Sequence, residues 1–201
     1  AGAVKFLDEN LKPIAVDLYD VAVWKHYGWS ALYTDEFRRR FVSTNGGTNG
    51  EVAAELDAYL SATLKRAQRF HQSLDAVDGP ASPVVLLAIG GDCEETFNSP
   101  VLLRDQKRNR WVTLTRPREF RTSTGVKVSK KDVTGAMYLP GDGRVTRSSL
   151  LGENLFKTRD AQTGFTLSRY AVFGCDLHAH LPRNKTLQDN TLTAIVGEVM
   201  R

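Results

Sequence analysis

Two short stretches hold the side chains with which this sequence could do chemistry. Asp142 stands between Gly141 and Gly143 in Tyr138-Leu-Pro-Gly-Asp-Gly-Arg-Val-Thr-Arg-Ser-Ser149. Glycines on both sides let the backbone turn sharply and adopt positive φ, so such a loop can project one carboxylate in a fixed direction. About thirty-five residues later, Cys175-Asp-Leu-His-Ala-His180 follows the apolar run Tyr170-Ala-Val-Phe173 and offers two imidazoles, His178 and His180. A carboxylate on one loop and a histidine on a later one are the acid and base that activate a nucleophile, in the chain order nucleophile, acid, base. Gly-Asp-Gly is also the composition of an ordinary turn. The surrounding elements therefore have to decide between the two.

Bulk properties bound the answer. At 201 residues, 41% of them hydrophobic, the chain can bury a sizeable core. No apolar run approaches the roughly 20 residues of a membrane span. The net charge is +4 and the pI about 9.1. Basic residues gather in Arg38-Arg-Arg40 and between Arg104 and Arg121, but Asp105 and Glu119 interrupt the second group and no nucleic-acid motif accompanies it. These are solvated loops, and no nucleic-acid partner is expected. Two cysteines, Cys93 and Cys175, make no disulfide framework; each follows an apolar run, which predicts buried free thiols. The chain opens Ala1-Gly-Ala-Val, without an initiator methionine or signal peptide, as a piece of a longer protein would. No compartment follows from it.

Residues 1–50 lack a sustained period and carry Asp17-Leu-Tyr-Asp-Val-Ala-Val-Trp24 and Tyr27-Gly-Trp-Ser30. Their aromatics form either a small satellite core or a cap over an apolar pocket. After the Gly/Asn cluster at 45–50, a helix is predicted over Glu51–Val77. Val52, Leu56, Tyr59, Leu60, Thr63, Leu64, Ala67, Phe70 and Leu74 recur along it at helical spacing, and Asp78-Gly-Pro80 ends it. His71 beside that stripe reads as structural. Val84–Ile89 has the continuous apolar character of a strand buried on both faces, as in a parallel sheet. Gly90-Gly-Asp-Cys-Glu-Glu-Thr96 follows at its C-terminal end, where α/β folds place their sites. Val101–Arg104 and Arg110–Thr115 predict a hairpin. Arg116–Leu139 is polar and irregular. Arg147–Gly152 suggests a short helical turn and Phe165–Phe173 a strand. A final helix is expected over Thr186–Met200, with Leu187, Leu192, Ile195, Val196 and Val199 inward. Helix, buried strand, hairpin, long loop, strand and helix make an α/β class, with residues 1–50 as a cap-like segment and 51–201 as the core.

Gly141-Asp-Gly-Arg-Val-Thr-Arg-Ser-Ser149 resembles the acid loop of the lecithin:cholesterol acyltransferase family, an α/β-hydrolase family whose members carry Gly-Asp-Gly-Thr-Val-Pro or a close variant there. Arg144 and Thr146 stand where many members have Thr and Pro. Asp17-Leu-Tyr-Asp20 with Trp24 and Tyr27-Gly-Trp29 looks like the aromatic cap of bacterial relatives. Gly90–Thr96 looks like the Gly…Thr segment before the acid loop. Cys175-Asp-Leu-His178, with Leu181-Pro-Arg-Asn184 and Leu187-Gln-Asp-Asn190, looks like the histidine segment. The four motifs keep order and spacing over about residues 14–200. The resemblance implies the C-terminal part of an α/β-hydrolase fold, a partial parallel sheet with flanking helices plus an aromatic-rich cap. It implies Asp142 as catalytic acid and His178 as base, with His180 the alternative base.

The hydrolase nucleophile sits in Gly-x-Ser-x-Gly and precedes the acid. The nearest string, Gly28-Trp-Ser-Ala-Leu32, lacks the second glycine. The nucleophile is therefore expected upstream of Ala1, and this chain by itself is expected to be inactive. The implied function is that of an esterase, lipase or O-acyltransferase acting on lipid-like or other carboxylic esters, without cofactor or metal. Two alternatives stand beside it. One is a non-catalytic, hydrolase-like binding module. The other is a metal-dependent hydrolase, since Asp176-Leu-His178-Ala-His180 looks like the Asp-x-His-x-His opening of amidohydrolases. Against the latter, the 21 residues after His180 hold no histidine or cysteine, and only Asp189 and Glu198 are acidic.

Overall fold

The structure, a computed structural model, describes residues 5–75, 87–151 and 172–199. Its largest sheet has four strands in the order β2-β1-β5-β6. These are β1 (Phe6–Leu7), β2 (Pro13–Ile14), β5 (Val101–Asp105) and β6 (Arg110–Leu114). β5 and β6 form the predicted hairpin, with Val101 opposite Leu114. β1 runs parallel to β5 through Leu7 and Val101, so residues of the first fifty join this sheet directly. Below it lies the apolar core of Leu7, Val101, Leu103, Leu114, Val133 and Met137.

Val133 and Met137 belong to α4 (Lys130–Met137), a helix inside the stretch expected to be irregular. Its start is legible in hindsight. Ser129 caps it by accepting the Asp132 amide, and its hydroxyl donates back to the Asp132 carboxylate at 2.6 Å. Val133 and Met137 then fall four residues apart on one face, and both are fully buried. Each such burial contributes about 1.5–3 kcal/mol, enough to override the polar composition around it. The short antiparallel pair β7 (Phe120–Arg121) and β8 (Lys127–Val128) precedes α4.

The long helix α3 spans Asn49–Asp75, close to its expected bounds. It opens with a reciprocal cap: Glu51 accepts the Thr48 amide at 2.9 Å, and Thr48 accepts the Glu51 amide at 3.3 Å. Val52, Leu56, Leu60 and Leu64 are buried against α1 (Val21–Tyr27) and α2 (Asp35–Asn45). Further along, Phe70 and Leu74 are exposed, as is Tyr59, because among the described residues no element covers the rest of the stripe. His71 accords with a structural role: its Nδ1 lies 2.5 Å from the Tyr19 hydroxyl. The aromatics of residues 1–50 stack as a satellite core on the sheet. Trp29 packs on Phe6, Trp24 and Tyr27, and its indole donates to Thr113 on β6 at 2.8 Å.

Two further strand pairs hold the loops of interest. β3 (Ile89–Gly91) and β10 (Val172–Gly174) are parallel, with Gly91 opposite Gly174. Of the expected strands, Val84–Ile89 is described only from residue 87, with β3 starting at Ile89, and Phe165–Phe173 only from residue 172, where β10 starts. β4 (Glu94–Phe97) and β9 (Tyr138–Gly141) are antiparallel. α5 (Arg147–Leu150) is the predicted helical turn, and α6 (Lys185–Val199) the final helix. The fold is thus a mixed α/β arrangement with small sheets, some parallel.

Two expectations need correction. On α6, Leu187 is buried, but Leu192, Ile195 and Val196 are exposed rather than inward, since no described element lies over that face. Cys93 and Cys175 are exposed and joined by a disulfide, not buried thiols. The parallel register explains the pairing. Cys93 and Cys175 follow the opposed Gly91 and Gly174 by two residues and one, which brings their Cα atoms to 5.1 Å.

Candidate active site

β9 delivers Asp142 at its C-terminal end, and the residues around it fix its direction. Gly141 lies so close to β4 that a Cβ there would overlap the Thr96 side chain and the Val145 carbonyl. Gly143 has φ of +85°, where a side chain would be strained. Between them the chain folds back on itself. The Asp142 amide donates to the Val145 carbonyl at 3.2 Å, while Asp142 Oδ1 accepts the amides of Arg144 at 2.9 Å and Val145 at 2.8 Å. An aspartate that bonds the backbone two and three residues on is a standard way of stabilising a turn. Here it also locks the carboxylate plane.

The second oxygen, Oδ2, faces His178. Nδ1 of the imidazole lies 2.8 Å from it, and the His178 amide donates to the Asp142 carbonyl, also at 2.8 Å. The backbone bond and the side-chain bond together hold the two loops in register. Asp142 is 3% exposed, whereas the His178 side chain is 51% exposed. A buried, ionised carboxylate at Nδ1 favours the tautomer with its proton there. That leaves Nε2 with its lone pair, and among the described residues Nε2 makes no hydrogen bond.

Burial opposes the charge on Asp142. The Val145 amide, the His178 imidazole and the Arg144 amide more than offset it and hold the carboxyl below its ordinary value. A depressed folded-state pKa stabilises the fold in full above the unfolded-state value of about 3.9, and the contribution is lost as pH falls through the lower folded-state value. The acid limb of a curve of urea midpoint against pH is therefore expected below the usual carboxylate range. Asp142→Asn should flatten that limb; an unchanged limb would contradict the assignment.

Gly91 is the point where three loop ends meet. A Cβ built on it would come within 2.7 Å of the Asp176 carbonyl oxygen and 2.8 Å of the Asp142 Cβ. Any side chain there must push the acid loop and the histidine loop apart. Gly91→Ala is expected to destabilise the protein by about 1–3 kcal/mol, as overpacking typically does. Urea unfolding of the variant checks this, and an unchanged midpoint would mean that the loops have slack.

Of the other sequence-derived candidates, His180 is brought to a different partner. Its Nδ1 lies 3.5 Å from Asp176 Oδ1, and its side chain is 56% exposed. Asp176 also receives the Asn184 side chain at 3.5 Å and caps its own neighbour's amide. Asp176, His178 and His180 thus do not converge, and among the described residues no three His, Cys, Asp or Glu side chains form a metal-binding group. The segment Gly90–Thr96 was placed at the site by its position after a strand, but no role was given to its individual residues. Gly91 leaves room for the two loops, and Thr96, 1% exposed, accepts the Gly143 amide at 2.8 Å with its hydroxyl.

No protein family, curated protein or solved structure gives a significant match to the chain. The fold class stands as mixed α/β, and what the site does has to be argued from its geometry.

Proposed function

We propose that Asp142 and His178 are the acid and base of a serine hydrolase or O-acyltransferase that acts on lipid-like or other carboxylic esters. The observation that carries this is the 2.8 Å contact between His178 Nδ1 and a buried carboxylate whose other oxygen is held by two backbone amides. An acid fixed in this way orients the imidazole and stabilises the imidazolium when it forms. Nε2 then takes the proton of a serine attacking the ester carbonyl and returns it to the departing alcohol. Water releases the acyl group in a lipase or esterase; a second alcohol releases it in an acyltransferase.

The serine belongs to a Gly-x-Ser-x-Gly elbow in sequence preceding Ala1. In this account the described residues belong to the C-terminal part of an α/β-hydrolase core, with the aromatic satellite of residues 1–50 packed on its sheet. The parallel pair β3 and β10, with the histidine loop following β10, supports that placement. The ester class comes from the resemblance of the acid and histidine loops to the lecithin:cholesterol acyltransferase family.

The test is turnover of p-nitrophenyl esters of increasing acyl length by the protein as its gene encodes it, before and after treatment with a fluorophosphonate. Turnover that the reagent abolishes is expected. Absence of turnover with every ester would favour a binding module, and turnover insensitive to the reagent but lost to a chelator would favour a metal hydrolase.

A further inference from the structure

We propose that the Thr96 hydroxyl is a positioning group that aims Asp142 at His178. This rests on the acid–base reading of that pair. Asp142 is attached to β4 on both of its flanks. On one side, Gly141 pairs with Glu94 in the β4–β9 ladder. On the other, the Gly143 amide donates to Thr96 Oγ1 at 2.8 Å. The hydroxyl has its own proton committed, to the Glu94 carbonyl at 3.1 Å, so its lone pair is directed at the turn.

The peptide between Asp142 and Gly143 is held at both ends: its carbonyl accepts the His178 amide at 2.8 Å, and its N–H is held by Thr96. Arg144 and Val145 bond back to Asp142 itself, which shapes the loop without anchoring it to the sheet. Thr96 is the anchor that ties this side of the turn to β4, and it is buried while Gly143 is exposed. When the hydroxyl is removed, the Gly143 amide can turn to water. The loss then falls on the direction of the carboxylate more than on folding. Gly141 completes the arrangement, because the absence of a side chain there is what lets the turn sit against Thr96.

Thr96→Val and Thr96→Ser, made in the protein as its gene encodes it, separate the hydroxyl from the volume. Two readouts are needed: the ring ¹⁵N shifts of His178, which report its tautomer, and the rate of fluorophosphonate labelling across pH. Thr96→Val is expected to erode the Nδ1–H tautomer and slow labelling roughly 10–100-fold, the cost of misplacing a catalytic group by about 1 Å. Thr96→Ser is expected to restore both. A Thr96→Val protein with the wild-type tautomer overturns the proposal, even if its thermal stability falls. If the wild-type protein is not labelled at all, the proposed function fails, while the tautomer comparison still decides the role of Thr96. Should Thr96→Val not fold, hydrogen exchange in the unaltered protein decides: protection of the Gly143 amide is expected, and exchange at the rate of an open loop overturns the proposal.

Discussion

Asp142→Asn is expected to lower kcat for ester turnover by about 10⁴-fold, the scale set when the acid of such a triad is replaced by its amide. The reason is specific to the geometry. The carboxylate faces Nδ1 through Oδ2, which favours the Nδ1–H tautomer and leaves Nε2 its lone pair. An asparagine amide in that place can donate to Nδ1 instead, which moves the proton to Nε2 and blocks the base. His178→Ala removes the base outright and should cost at least as much. His180→Ala should leave kcat within a few-fold, because its ring is turned to Asp176 at 3.5 Å and not to Asp142. Steady-state kinetics on the three variants checks the set. A large loss in His180→Ala with activity retained in His178→Ala would overturn the choice of base.

Loss of the Cys93–Cys175 disulfide is expected to cost about 2–5 kcal/mol. The bond closes a loop between residues 82 apart in sequence, and in the chain-entropy account a loop of that length restricts the unfolded chain by roughly 4–5 kcal/mol. Urea unfolding of the Cys93→Ser, Cys175→Ser double variant measures it. An unchanged midpoint would mean that the parallel register of β3 and β10 holds the loop ends together unaided. The consequence should extend to the site, because Cys175 lies three residues before His178 and Cys93 two after Gly91. Ester turnover assayed with and without dithiothreitol should fall in the reduced sample. A disulfide of this kind forms and persists under oxidising conditions, so preparation without reductant belongs to the experiment.

Much of the site could be read from the sequence because its signals are local. Two glycines around Asp142 announce a sharp turn, and His178 follows an apolar run, so both loops could be placed before their contact was known. The 2.8 Å bond itself is a tertiary fact, and so is the separation of His178 from His180, since both imidazoles sit in one loop and only the packing turns them apart. The hairpin of β5 and β6 was readable because its strands are continuous in sequence. α4 was missed because only Val133 and Met137 carry its burial, too few for a visible period, although the Ser129–Asp132 cap was present.

The cysteines show the same limit differently. Residue type and apolar flanks described two isolated thiols, while the deciding fact was the register of two strands far apart in sequence, which brings together cysteines 82 residues apart. The exposed faces of α3 and α6 show the converse. Helical periodicity located the apolar residues correctly, but periodicity cannot say whether a covering element exists. Thr96 falls between these cases, as its burial and its bond to Gly143 depend on the pairing of β4 with β9.

In the proposed mechanism Asp142 and His178 serve a nucleophilic serine. The most direct test of that mechanism is to treat the protein as its gene encodes it with a biotinylated fluorophosphonate and map the adduct by peptide mass spectrometry. One adduct is expected, on a serine within a Gly-x-Ser-x-Gly sequence, formed rapidly in the wild type and in His180→Ala and hardly at all in His178→Ala. No adduct, or labelling that persists undiminished in His178→Ala, would contradict it.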